Sequence, residues 1–171
     1  MTPTATATGR REVRDGAVYI VFERTFRAPR DDVWAAVTEP HRLERWIGTW
    51  SGDPTTGSVE FRMTAEDPDA APETHRILLC DPPRRLVTES TSPDDDTTWR
   101  IELDLTEERG VTTFRFAQRM EDAVPAETVG PGWDYYLDRL VVAHGGGDAA
   151  MVEWDAYYPA LSNHYAEMFG R

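Results

Sequence analysis

Toward the C-terminal end of the chain, Trp133, Tyr136, Leu137, Leu140, Val141 and His144 recur at i, i+3, i+4, i+7, i+8 and i+11. That spacing is one face of a helix, and the face is mostly apolar. Pro131 suits the first turn of such a helix, where its missing N–H costs nothing, and Gly145 to Gly147 supply a left-handed stop. Upstream, the period changes from 3.6 to 2. Residues 16–26 are rich in β-branched and aromatic side chains, with Ile20, Phe22 and Phe26 on one face. Strands are also predicted over 58–64, 74–80, 85–91, 97–106 and 111–118. Val59/Phe61/Met63, Trp99/Ile101/Leu103/Leu105 and Phe114/Phe116 alternate with polar neighbours, so one face is buried and the other wet. Asp67-Pro68-Asp69, Asp81-Pro82-Pro83, the Ser92 to Asp96 cluster and Glu107 to Gly110 are turns between them. Strands so closely spaced form hairpins, hence an antiparallel meander.

Ala28-Pro29 breaks the first strand, and 30–37 follows as a short helix with Asp31 and Asp32 in its first turn, where the helix dipole favours them. A second short helix opens at Thr38-Glu39-Pro40 and runs to Trp46, and Trp46 to Pro54 is a loop. The fold class is α+β: a curved antiparallel sheet of about six strands, two short helices after the first strand, and a long C-terminal helix gripped by the sheet. Residues 1–15 are expected to be a disordered tail, 16–147 the domain, and 148–171 an aromatic-rich extension. In that extension Leu161, Tyr165, Met168 and Phe169 share a helical face. Such a surface packs back on the domain or covers a partner, as in a homodimer; packing back is the expectation. No internal repeat or second domain is legible.

The 171 residues suffice for one core, and 40% of them are hydrophobic, six being Trp. A net charge of -13 argues against nucleic-acid binding, which needs a basic face, and against an anionic membrane surface. All 18 basic residues are Arg, so Schiff-base and phosphate-loop lysines are excluded. The single cysteine, Cys80, fits a reducing cytoplasm. No apolar run is long enough to span a bilayer, and the Thr/Ala-rich start has no signal-peptide pattern.

The sequence carries no recognisable catalytic or metal-ligand pattern. His41, His75, His144 and His164 have no zinc-ligand spacing. His144-Gly145-Gly146-Gly147 spells an esterase oxyanion loop, but no nucleophile elbow accompanies it, and the glycines more simply end the helix. Gly130-x-Gly132 lacks the third glycine of a dinucleotide loop. Asp94-Asp95-Asp96 lacks the spaced ligands of a calcium loop and reads as a solvated hairpin tip. No cofactor, metal or catalytic set is therefore expected.

Several pieces at the joints of these elements resemble one family. They are Arg24-Thr25-Phe26-Arg27-Ala28-Pro29, Val33-Trp34, Thr38-Glu39-Pro40 through Leu43 to Trp46, Gly57 opening the strand with Phe61, and Gly132-Trp133-Asp134-Tyr135-Tyr136-Leu137-Asp138-Arg139-Leu140. In this order they resemble the SRPBCC superfamily, the START or birch-pollen-allergen-like helix-grip fold. The branch they resemble is that of homologues of the activator of the heat-shock-protein-90 ATPase. The resemblance implies a container more than a reaction, since members include lipid carriers, hormone receptors, polyketide cyclases and aromatases.

A candidate pocket lies between helix and sheet. Trp46 and Trp50 stand at its mouth, Phe61, Met63, Trp99 and Phe114 on inward strand faces, and Trp133, Tyr136, Leu137 and Leu140 on the helix. Depending on register, His75 shares the inward face with Ile77 and Leu79. The plain alternative is that all of these fill a core. For Trp50, Trp99, His75 and Tyr136 a binding role competes evenly with it, because each carries a polar atom that needs a partner when buried. The leading expectation is a cytoplasmic carrier or sensor of a small apolar or aromatic molecule. An enzyme of the cyclase, dehydratase or hydrolase kind is the alternative. It would use Tyr136 with a carboxylate, or His75 with Glu89 or Glu102. An interaction protein acting through the C-terminal aromatic segment is the third reading.

Overall fold

Eight strands form one antiparallel sheet in the order β1-β2-β8-β7-β6-β5-β4-β3. The structure is a computed structural model in which residues 4–91 and 96–170 are described. The strands are β1 (Arg10–Arg14), β2 (Ala17–Phe26), β3 (Thr49–Ser51), β4 (Ser58–Arg62), β5 (Glu73–Asp81), β6 (Arg85–Thr91), β7 (Thr98–Glu108) and β8 (Val111–Arg119). Helices α1 (Arg30–Thr38) and α2 (Pro40–Leu43) carry the chain from β2 to β3 at the far edge of the sheet. The long helix α3 (Ala126–His144) and the short α4 (Ser162–Met168) follow the meander.

The six strands expected from alternation are present, and two more stand beside them. β1 lies in the segment expected to be a disordered tail, because Arg10-Arg11-Glu12-Val13-Arg14 carries charge on both faces and shows no hydrophobic period. Its backbone ladder to β2 holds it. Arg14 also lies over the Tyr19 ring at 4.0 Å, and Arg10 pairs with Glu23 at 3.2 Å. β3 lies in the segment expected to be a loop; at three residues it is too short for a period to declare itself. The two short helices accordingly follow the second strand, not the first.

On the concave face, Ile20, Phe22, Phe26, Leu103, Leu105, Phe114 and Phe116 join Leu137, Leu140 and Ala143 of α3 in one buried cluster. Helix α3 starts earlier than expected, at Ala126 after an N-cap Pro125, which puts Pro131 inside the helix and not in its first turn. Burial accounts for the extra turn, since Ala126 and Val129, three apart, are both buried. The helix ends as the glycines require: Gly146 takes φ 85°, and the amides of Gly145, Gly146 and Gly147 return to the last carbonyls.

The C-terminal segment packs on α3. Tyr165 is fully buried, its ring lying against Gly130, and Tyr157 and Leu161 are buried beside it. Tyr165 donates its hydroxyl proton to Asp134. The Thr8 amide donates to the same carboxylate at 3.2 Å, and Arg24 pairs with it at 3.2 Å. Asp134 thus fastens the N-terminal segment, β2, α3 and α4 at one buried point. Residues Asp94 and Asp95 of the acidic hairpin tip lie outside the described residues.

Candidate functional site

Between the N-terminal half of α3 and strands β4 to β8 the two layers separate, leaving a cavity of about 1030 Å³. Val59 and Phe61 of β4, His75 and Ile77 of β5, Thr88 and Ser90 of β6, Trp99 and Ile101 of β7, and Phe114 and Phe116 of β8 face it. Thr128, Val129, Trp133 and Tyr136 form the opposite wall. Trp34, Trp46 and Trp50, from the α1–α2–β3 passage, close one end. Trp50, Phe61, Met63, Trp99 and Trp133 pack against the core yet stay only partly buried, because one side of each borders the void.

Of the residues expected here, Trp46, Trp50, Phe61, Met63, His75, Trp99, Phe114, Trp133 and Tyr136 line the cavity. Leu137 and Leu140 do not. They are 0% and 1% exposed, packed in the core beneath the helix. An apolar helical face is wide enough to serve both layers, and only the strands opposite decide which residue meets space. Leu79 is also displaced from its expected inward position. A β-bulge between Ile77 and Leu79 makes Leu78 an extra residue, so the alternation flips and Cys80 turns inward instead.

Three of the indoles are satisfied within the protein. Trp46 donates to the carbonyl of Ala36 at 3.0 Å, Trp50 to that of Thr38 at 2.7 Å, and Trp133 to Gln118 Oε1 at 2.6 Å. These bonds fix the rings as walls. Trp133 also packs on Phe116 with ring centroids 4.2 Å apart. Tyr136 donates to Glu66 Oε1 at 3.0 Å. Burial, together with the charge and hydrogen bond of Glu66, pushes its phenol far above the ordinary value, so it keeps its proton.

His75 differs from these. Its Nε2 is buried and has no hydrogen-bond partner among the described residues; Glu73 Oε2 is 3.9 Å away. Its ring leans on Phe61 with centroids 5.3 Å apart. Burial pushes the imidazole below the ordinary histidine value, more than the charge of Glu60 raises it. The proposed acid–base partners are not there. Glu89 and Glu102 occupy the opposite face of the sheet, Glu89 bonded to Arg76 at 2.9 Å, Glu102 to Arg85 at 2.8 Å and Arg100 at 3.1 Å. The alternation of β6 and β7 dictates this, since Ser90 and Trp99 face the cavity and their sequence neighbours cannot.

Lining residues that sequence reasoning missed include Trp34, Glu66, Tyr135 and Trp154. Glu66 sits in a turn beyond β4, where no periodicity reports direction. Trp154 comes from the C-terminal extension, stacked on Tyr158 and edge-on to Tyr135. Among the described residues no helix is long and apolar enough to cross a membrane.

Several solved structures share this architecture. The crystal structure of CalU16 from Micromonospora echinospora superposes with a TM-score of 0.69 at 23% identity, covering 96% of this chain and 97% of that one. A conserved protein of unknown function, EF2215 from Enterococcus faecalis, gives 0.70 at 20% identity, covering 95% and 90%. DynU16, a protein of the dynemicin biosynthetic locus, gives 0.65 at 23% identity, with 77% of this chain matched to 49% of the other. No curated protein matches the chain. The family model of Activator of Hsp90 ATPase homolog 1-like proteins matches residues 27–145, from the break after β2 to the end of α3. With that match over most of its length, and with the helix-grip architecture intact around it, the chain belongs to the family of Activator of Hsp90 ATPase homolog 1-like proteins, of SRPBCC-type fold.

Proposed function

We propose that the chain is a cytoplasmic carrier or sensor that holds a small apolar or aromatic molecule between α3 and the sheet. The observation that carries this reading is the cavity of about 1030 Å³, at the upper end of the roughly 300–1,000 Å³ typical of ligand pockets. Its walls are mostly aromatic and aliphatic, and the indoles of Trp46, Trp50 and Trp133 are held in place by bonds to the protein. Such rigid apolar walls favour a ligand over water. Native mass spectrometry of the purified protein tests the reading through a co-purifying mass, and titration with pyrene tests it directly. Pyrene binding that disappears in Thr88→Trp, which fills the space, supports it. Absence of pyrene binding overturns it.

The enzyme reading has one observation in its favour, the Tyr136–Glu66 hydrogen bond at the cavity wall. The phenol is held protonated there, so its role would be to donate a hydrogen bond, not to act as a base. Nothing favours the C-terminal aromatic segment as a partner surface, because Tyr157, Leu161 and Tyr165 are already buried against α3.

A further inference from the structure

The polar lining of the cavity narrows the class of ligand it takes. The indole N–H groups of Trp46, Trp50 and Trp133 and the hydroxyl of Tyr136 are all engaged by the protein. His75 Nε2 is buried without a partner among the described residues, on a strand where it stands opposite Val59 of β4 and Ser90 of β6. A buried polar atom left unpaired is costly, and such atoms are normally satisfied by protein, water or ligand. The charged residues of the lining are Glu66 and Glu73, both carboxylates. No arginine is among the described lining residues, although the chain has 18 basic residues, all of them arginine.

We propose that the cavity takes an uncharged, hydroxyl-bearing aromatic molecule, of the phenol class, whose hydroxyl pairs with His75 Nε2 once the ring turns that atom out of its buried position into the space, and that it discriminates against carboxylates. This rests on the ligand-holding reading above. A hydroxyl both donates and accepts, so it satisfies the imidazole in either tautomer. An anionic head would enter an apolar space beside two carboxylates with no cation to compensate its desolvation. A cationic head would be drawn to Glu73 at the rim and would leave the imidazole unpaired.

Binding of four fluorescent probes at neutral pH tests this: pyrene, 1-hydroxypyrene, 1-pyrenecarboxylate and 1-pyrenemethylamine. The expected result is that hydroxypyrene binds about tenfold more tightly than pyrene, the gain of one net hydrogen bond. The carboxylate should bind at least about tenfold more weakly than pyrene. In His75→Phe the hydroxyl advantage, read as the ratio of the hydroxypyrene and pyrene affinities in that same variant, should disappear. If that variant does not fold, the imidazole ¹⁵N resonances of His75 in the unaltered protein give the readout, shifting with hydroxypyrene and not with pyrene. Equal affinities for pyrene and hydroxypyrene, tightest binding of the carboxylate or the amine, a hydroxyl advantage that survives in His75→Phe, or ¹⁵N resonances that do not respond to hydroxypyrene would each overturn the phenol assignment while leaving the cavity reading standing. Failure of pyrene itself to bind overturns both.

Discussion

The hydroxyl of Tyr136 donates to Glu66 Oε1 over 3.0 Å, tying the middle of α3 to the turn beyond β4 across the cavity wall. Tyr157 makes the same kind of bond to Asp138 at 2.5 Å, and Tyr165 makes one to Asp134. All three phenols are buried against a carboxylate, and each is pushed well above the ordinary tyrosine value, burial being the largest cause. A raised folded-state value means stability is fully present below the unfolded-state value, near 10, and is lost as pH rises beyond it. An absorbance titration of the six tyrosines should therefore show incomplete ionisation near pH 10, the remainder appearing only as the fold is lost. A single step near pH 10 accounting for every phenol, with circular dichroism unchanged, would refute this.

Asp134 and Asp138 lie one turn apart on α3 and both pair with Arg24, at 3.2 and 3.1 Å, but in different surroundings. The Asp134 side chain is 0% exposed and that of Asp138 38%. Asp134→Asn keeps the shape and removes the charge, leaving Arg24 and the N-terminal segment without their buried anchor. It should cost about 3–5 kcal/mol in urea denaturation, as breaking a buried pair does. Asp138→Asn should cost less, about 1 kcal/mol, because its own side chain is 38% exposed and asparagine keeps an oxygen that can accept from Tyr157. Equal costs would mean that Asp134 does not anchor the N-terminal segment in the way described.

Much of this fold is written in hydrophobic period. The strands from β4 to β8 and the face of α3 could be read because each buries one side only, and the chain repeats that asymmetry every two or every 3.6 residues. What escaped has physical reasons. β1 is held by backbone bonds to β2 and by ion pairs from Arg10 to Glu23 and from Glu12 to Arg115, so charged side chains stand where an apolar period would otherwise show. The bulge at Leu78 hides in Leu78-Leu79, two apolar residues in succession that fit either register. Leu137 and Tyr136 are adjacent and equally apolar in pattern, yet one meets the core and the other the cavity. That difference is set by curvature of the sheet, which no single helix encodes.

Gly130 and Gly132 sit two residues apart in α3 and should respond oppositely to alanine. A Cβ on Gly130 would lie 2.2 Å from Tyr165 Cγ, inside the packed contact between α3 and α4. One on Gly132 meets nothing within 4 Å. Alanine adds up to about 1 kcal/mol of helix propensity at either position. Gly132→Ala should therefore raise stability by about that amount. In Gly130→Ala, displacement of the Tyr165 ring should outweigh the gain, for a net loss of about 1–3 kcal/mol. Thermal melts of the two variants decide it, and a stabilised Gly130→Ala would contradict the tight seat of Tyr165.

His75 gives the cavity a dependence on acidity that can be separated from that of the carboxylates. The groups facing it are Glu73, whose Oε2 is 3.9 Å away, and Glu60, whose charge raises the imidazole against the larger lowering by burial. The folded-state value is therefore below the unfolded-state value of 6.5. Above 6.5 both states are neutral and the full stability is present. As pH falls below it, the unfolded chain takes up a proton that the folded protein refuses, so stability declines until the folded-state value is reached. One proton limits the slope to about 1.4 kcal/mol per pH unit. The difference in denaturation free energy between the unaltered protein and His75→Phe isolates this contribution, because the remaining titrating groups are common to both. That difference should shift against the unaltered protein as pH is lowered from 7 toward 5. A flat difference over that interval, or one of opposite sign, would show that the imidazole is free to accept a proton in the fold, and the cavity wall around it would then be wetter than its burial indicates.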